Sequence, residues 1–140
     1  MAGSSSGLVS KASGVTVLFV DDYVDTRLAY ASEAEACGFI PQLAGDGHEA
    51  LAHVRLDPPT IVVTEVMLRG LDGFELTRRI RAMPRPIPVV LLTGIILPDL
   101  AASARRAGCA ALLTKPCPFE IIERTIRRLV GERLGHARQA

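Results

Sequence analysis

Tryptophan is absent from the 140 residues, and four phenylalanines and two tyrosines make aromatics only 4% of the chain. The hydrophobic 49% is drawn instead mainly from Val, Ile, Leu and Ala, which suits a parallel sheet wrapped by helices better than an aromatic-rich binding module. An excess of either charge is missing as well: 16 Lys and Arg stand against 15 Asp and Glu, for a net +1. No global field therefore recruits nucleic acid or an anionic membrane. Cysteine is scarce. Cys37, Cys109 and Cys117 are odd in number and show no CxxC pairing, which points to free, packed thiols in a reducing cytoplasm. Long apolar runs are lacking too: none approaches the roughly 18 residues of a membrane helix, and the opening MAGSSSGLVSKASG has no signal-peptide core. Residues 1–14 read as a flexible leader, 15–131 as one domain, and 132–140 as a polar tail that should fray.

What is present is an alternation. VTVLFV (15–20), IVV (61–63), VVLLT (89–93) and ALLT (111–114) are compact apolar runs, and FIPQLA (39–44) is a fifth. Pro41 cannot donate to a ladder, so this fifth run is expected at a sheet edge. Segments of helical period lie between them: DTRLAYASEAEACG, GHEALAHVRL, DGFELTRRIRAM, PDLAASARRAG and PFEIIERTIRRLVGERL. In the first, Leu28, Ala31 and Ala34 supply the apolar rhythm, and Gly38 stands where a C′ glycine ends a helix. In the last, Phe119, Ile122, Ile126, Leu129 and Val130 form one stripe, with Glu120–Arg124 and Glu123–Arg127 as expected i,i+4 pairs. Five strands alternating with five helices predict a parallel α/β sheet with right-handed crossovers.

Open α/β sheets bind ligands outside the carboxyl ends of their strands. Those ends carry Asp21-Asp22, Glu65, Thr93-Gly94 and Thr114-Lys115-Pro116. Glu65 follows at once on the buried run Ile61–Thr64, a costly place for a carboxylate without a partner. Read singly, Asp21-Asp22 would serve as helix caps, Thr93 as a strand residue, and Lys115-Pro116 as a strand terminator before a helix. Together they converge three carboxylates, a hydroxyl and a lysine on one face. Clustered carboxylates call for a counter-ion, and Mg²⁺ suits a site of a few carboxylates and several waters. Thr93 and Lys115 suit tetrahedral anion oxygens such as those of a phosphoryl group.

VTVLFVDDYVDTR, PTIVVTEVMLRGLDGFEL, IPVVLLTG and GCAALLTKPCPFEIIERTI resemble the receiver domain of bacterial response regulators, the phospho-switch half of two-component signalling, over roughly residues 15–131. The resemblance implies a flavodoxin-like (βα)5 three-layer sandwich with a five-stranded parallel sheet in the order 2-1-3-4-5. It implies that Asp21, Asp22, Glu65 and the backbone carbonyl of Met67 surround Mg²⁺. It also implies that Thr93 is the switch hydroxyl, that Lys115 contacts the phosphoryl group, and that Asp72-Gly73 forms the turn and helix start after the site loop.

Glu65 stands where the family carries its phosphoacceptor aspartate. The family's carboxylate attacks a phosphohistidine or small phosphodonor in line, with Mg²⁺ and lysine stabilising the charge. One added methylene moves the oxygens by roughly 1–1.5 Å. A misplacement of ~1 Å can cost about 10²-fold in such positional chemistry. Glu65 is therefore expected to be a poor nucleophile, and either to mimic the phosphorylated state toward Thr93 and Lys115 or to pair with Lys115 and lock the switch. Leu112 occupies the place of the usual switching aromatic and reads as a core strand residue. Arg69 replaces a proline and adds a cation near the pocket.

The expectation is a stand-alone, atypical receiver in two-component signalling: a non-enzymatic, phosphorylation-independent or phosphomimetic interaction module. Its partner would be a sensor histidine kinase or other signalling protein, or a second copy in a homodimer, with no nucleic acid or membrane. A receiver with a slow acceptor is the alternative. A small Mg²⁺-dependent phosphohydrolase of haloacid-dehalogenase type is remoter, because that family needs a second Asp where Tyr23 stands. Gly94-Ile95-Ile96-Leu97-Pro98 either folds onto the core or forms a patch. The arginines at 78, 79, 81, 105, 106, 124, 127 and 128 read as solvated helix faces, and His48, His53 and His136 as ordinary histidines.

Overall fold

A computed structural model describes the backbone of residues 14–139 and the side chains of residues 14–134; most of the leader (1–13), the final residue and the His136 side chain lie outside the described residues. Five strands alternate with five helices: β1 (Thr16–Val20), α1 (Val24–Ala36), β2 (Ile40–Ala44), α2 (Gly47–Leu56), β3 (Ile61–Thr64), α3 (Gly73–Arg81), β4 (Val89–Thr93), α4 (Leu100–Ala107), β5 (Ala111–Thr114) and α5 (Phe119–Gln139). All four strand pairings are parallel and the order is β2-β1-β3-β4-β5. This is the flavodoxin-like topology expected from the sequence. Pro41, paired in register with Val17, lies on the edge strand β2, where its missing N–H can face outward.

The apolar runs are continuous because both faces of the sheet are covered. Val17 and Phe19 of β1, Ile61 and Val63 of β3, and Val90 and Leu92 of β4 join one core with Ile122, Ile126, Leu129 and Val130 of α5. The intervening Leu18, Val20, Val62, Val89 and Leu91 point the other way, onto Leu51 and Val54 of α2 and Leu76 and Ile80 of α3. Four of the chain's six aromatics, Phe19, Tyr30, Phe39 and Phe119, gather on the α5 side, where Phe19 lies 5.4 Å from Tyr30 and 6.3 Å from Phe119 between ring centroids.

Three details differ from the sequence expectation. Leu28 is 56% exposed; Ala34 is the buried apolar residue of α1, and Tyr30 rather than Leu28 leans onto the core. Glu123 pairs with Arg127 at 2.9 Å, but Glu120 and Arg124 form no ion pair among the described residues. Helix α5 runs on to Gln139, into the segment set apart as a tail. Gly38 does end α1 with φ at +88°, in the left-handed conformation that glycine adopts without strain.

Asp46 and Asp72 cap α2 and α3, accepting the backbone N–H of Glu49 at 2.8 Å and of Glu75 at 2.9 Å. Asp72→Ala should lower unfolding free energy by about 1 kcal/mol in urea titration, the usual value of such a cap. An unchanged midpoint would show that the α3 start is held by other contacts.

Candidate functional site: an internally paired acidic pocket

The pocket is assembled by the sheet register. Val20 of β1 is paired with Thr64 of β3, and Thr93 of β4 with Thr114 of β5, so the next residues, Asp21, Glu65 and Lys115, emerge at one edge. The ladder continues one step past the strands: Glu65 N–H donates to Val20 O at 2.9 Å and Lys115 N–H to Thr93 O at 2.9 Å. The Lys115–Pro116 peptide that follows is cis.

Glu65 has no idle oxygen. Its Oε1 lies 3.1 Å from Lys115 Nζ. Its Oε2 accepts the backbone N–H of Val66 at 2.7 Å and of Met67 at 3.3 Å, and also the hydroxyl of Thr93. Thr93 Oγ1 in turn accepts Ile95 N–H at 3.2 Å, which orients its proton toward Glu65. Lys115 bridges a second carboxylate, Asp21 Oδ2, also at 3.1 Å. Burial pulls the Lys115 ammonium toward deprotonation, but its bonds to Glu65 and Asp21 more than offset that and hold it above the ordinary lysine range.

The acidic pair does not cap the following helix. The N-cap of α1 is Tyr23, which makes no side-chain cap bond. Asp21, 2% exposed, accepts Tyr23 N–H at 3.0 Å through Oδ1, and its carbonyl takes Arg27 Nη1 at 2.7 Å. Asp22 Oδ1 is buried without a partner among the described residues, while Oδ2 lies 4.0 Å from Arg69 Nε. Arg69 thus stands at the rim as the sequence suggested. Gly94-Ile95-Ile96-Leu97-Pro98 divides between both expected fates: Ile95 packs on the core and Ile96 is 94% exposed.

The family model of the response regulator receiver domain matches residues 17–127, most of the chain. The protein belongs to this family. The chain is 28% identical to the sensor histidine kinase RcsC of Escherichia coli K12 over 98% of its own length and 14% of that protein. It is 35% identical, over 76% of its length, to an uncharacterized 14.6 kDa protein of Leptolyngbya boryana, of which it covers 83%. Among solved structures, the signal receiver domain of a histidine kinase from Syntrophus aciditrophicus superposes with a TM-score of 0.79 at 25% identity, covering 84% of this chain and 91% of that one. The chain spans only 14–27% of the longer regulators RcsC and ZraR that it matches.

Within this receiver the expected Mg²⁺ site does not fit as drawn from the resemblance. Glu65 was placed among its ligands, yet both its oxygens are taken by protein donors, and the Lys115 ammonium stands between Glu65 and Asp21. No three His, Cys, Asp or Glu side chains among the described residues are grouped as a cation's ligands. Asp22 Oδ1 is the carboxylate oxygen of the cluster without a protein partner. Met67 enters the pocket through its N–H, with its side chain 59% exposed. Leu112 is half-buried against the α2–α3 core, a packing residue as expected.

The donors that sequence reading missed are the backbone N–H groups of Tyr23, Val66, Met67 and Ile95, together with Arg27. The N–H groups have no side-chain signature, and Arg27 reads in sequence as one more helix-surface cation. The three thiols are free and half-buried, and burial is the main cause that pushes each above the ordinary cysteine range. They take no part in the pocket. No helix among the described residues is long and apolar enough to cross a membrane.

Proposed function

We propose that this receiver works in two-component signalling as a protein-interaction module whose switch pocket is set by Glu65 itself, without phosphoryl transfer. The observation that carries this reading is the engagement of both Glu65 carboxylate oxygens, Oε1 by Lys115 and Oε2 by Thr93 and the N–H groups of Val66 and Met67. A carboxylate nucleophile needs an oxygen free to approach phosphorus in line. Here attack requires first breaking charge-assisted bonds, each worth roughly 1.5–3 kcal/mol. The same bonds draw the switch hydroxyl and lysine onto a negative group one methylene beyond the usual acceptor. Mimicry and locking therefore describe one arrangement. The partner on this reading is a sensor histidine kinase, another signalling protein or a second copy of the chain, and Mg²⁺ is not required.

Incubation with acetyl phosphate and Mg²⁺, followed by intact mass measurement, tests the proposal. The wild-type chain should stay unmodified, whereas Glu65→Asp, which withdraws the carboxylate by one methylene, should take up one phosphoryl group. A stoichiometric adduct on wild-type Glu65, stable in acid and labile in base, would instead establish the working receiver with a non-standard acceptor.

A further inference from the structure

At the opposite end of the sheet, where β3 and β4 begin, lies an open groove of about 970 Å³. Arg55 at the end of α2, Arg79 in the last turn of α3, Arg85 in the α3–β4 loop and Arg133 of α5 all line it, over a floor that includes the buried Val54 and Ile87. No Asp or Glu is among its lining residues. Arg79 is compensated by Glu75 at 3.0 Å, and Arg133 spends Nη1 on Thr60 O at 2.9 Å. The side chains of Arg55 and Arg85 make no hydrogen bond or ion pair among the described residues.

Cations in a last helical turn are favoured by the helix dipole, which accounts for Arg55 and Arg79. It does not account for Arg85, which lies in a loop, or for Arg133, which precedes the last turn of α5. With Arg79 offset by Glu75, the guanidinium groups of Arg55, Arg85 and Arg133 around one concavity still contribute a positive potential there. An anion relieves that, and guanidinium forks match phosphate oxygens in pairs. The groove is open to solvent, and its volume falls within the range of about 300–1,000 Å³ of small-molecule sites. The apolar floor asks for an uncharged, flat body attached to the anion.

From this we infer a second site on the receiver: the arginine groove at the β3–β4 base binds a phosphorylated small molecule of the nucleotide class, with phosphates on Arg55 and Arg85 and the base against the accessible apolar lining of Pro58, Met83 and Pro84. It lies a strand's length from Glu65 and is independent of the phosphoryl chemistry there.

Calorimetric titration of the whole chain with ATP and GTP, without divalent cation and at near-physiological salt, tests it. The expected result is one saturable site per chain, with inorganic phosphate binding more weakly because it lacks the base. Arg55→Ala/Arg85→Ala should weaken nucleotide binding on the order of tenfold or more. Ala82→Glu, which brings a carboxylate into the groove, should do the same by charge alone. Arg105→Ala/Arg106→Ala, outside the groove, should leave binding unchanged. The inference is overturned if neither nucleotide saturates a site or if both double variants lose affinity equally. It is equally overturned if inorganic phosphate binds as tightly as ATP, or if only an acidic peptide or duplex DNA binds.

Discussion

Lys115→Met is expected to destabilise the fold by about 2–4 kcal/mol, read as a lower urea midpoint at unchanged slope. Methionine keeps most of the apolar stem, so the loss isolates the ammonium. That ammonium is the shared partner of Asp21 Oδ2 and Glu65 Oε1, each at 3.1 Å. Removing one member of a buried pair typically costs about 3–5 kcal/mol, because the other charge is left desolvated. Here the side chain of Lys115 is 28% exposed, and the carboxylates keep the N–H groups of Tyr23, Val66 and Met67, so the range is set lower. The double variant Lys115→Met/Glu65→Gln should recover part of the loss, since it removes the like-charge conflict between Glu65 and Asp21. A change below about 0.5 kcal/mol in the single variant would place the contact with ordinary surface pairs and remove the lysine from the switch.

The same pair shows why some of the pocket was legible in the sequence. Asp21, Glu65, Thr93 and Lys115 each follow or end an apolar run, and a parallel sheet aligns such positions without further information. Pro41 marked its strand as an edge by chemistry alone. Where the reading failed, residue identity carried too little. Helix α1 is poor in large apolar residues, so its rhythm did not fix which face turns inward, and Leu28 was placed inside while Tyr30 takes the contact with Phe19. The partners of the Glu65 carboxylate are partly backbone N–H groups, which every residue but proline offers, so the sequence does not single them out. Of the basal groove's arginines only Arg79 belongs to the set read as solvated helix faces; Arg55, Arg85 and Arg133 stand far apart in sequence and form no pattern until the fold joins them.

Gly73→Ala is expected to cost about 2–3 kcal/mol, and its effect should reach Glu65. A Cβ on Gly73 would overlap the carbonyl oxygen of Glu65 and lie 2.8 Å from Val66 Cα. Both are backbone atoms, so no rotamer change relieves the clash, and Gly73 N–H is tied to Val66 O at 2.8 Å. On its other side the loop is pressed by Gly47 of α2, where a Cβ would come within 2.8 Å of Leu71 Cβ and closer still to its carbonyl. Two glycine-started helices thus pinch residues 65–73, the segment whose N–H groups at Val66 and Met67 hold the Glu65 carboxylate. Separating α3 from the loop should loosen those donors first. In Gly73→Ala the amides of Val66 and Met67 should exchange hydrogen faster than in the wild type, relative to the core strands. Gly131→Ala supplies the control: it lies in α5 with nothing within 4 Å of a new Cβ, and alanine there should gain about 0.5–1 kcal/mol. If Gly73→Ala were as stable as Gly131→Ala, the close approach of α3 would not be what fixes the loop. The Glu65 contacts would then owe their geometry to the strand ends alone.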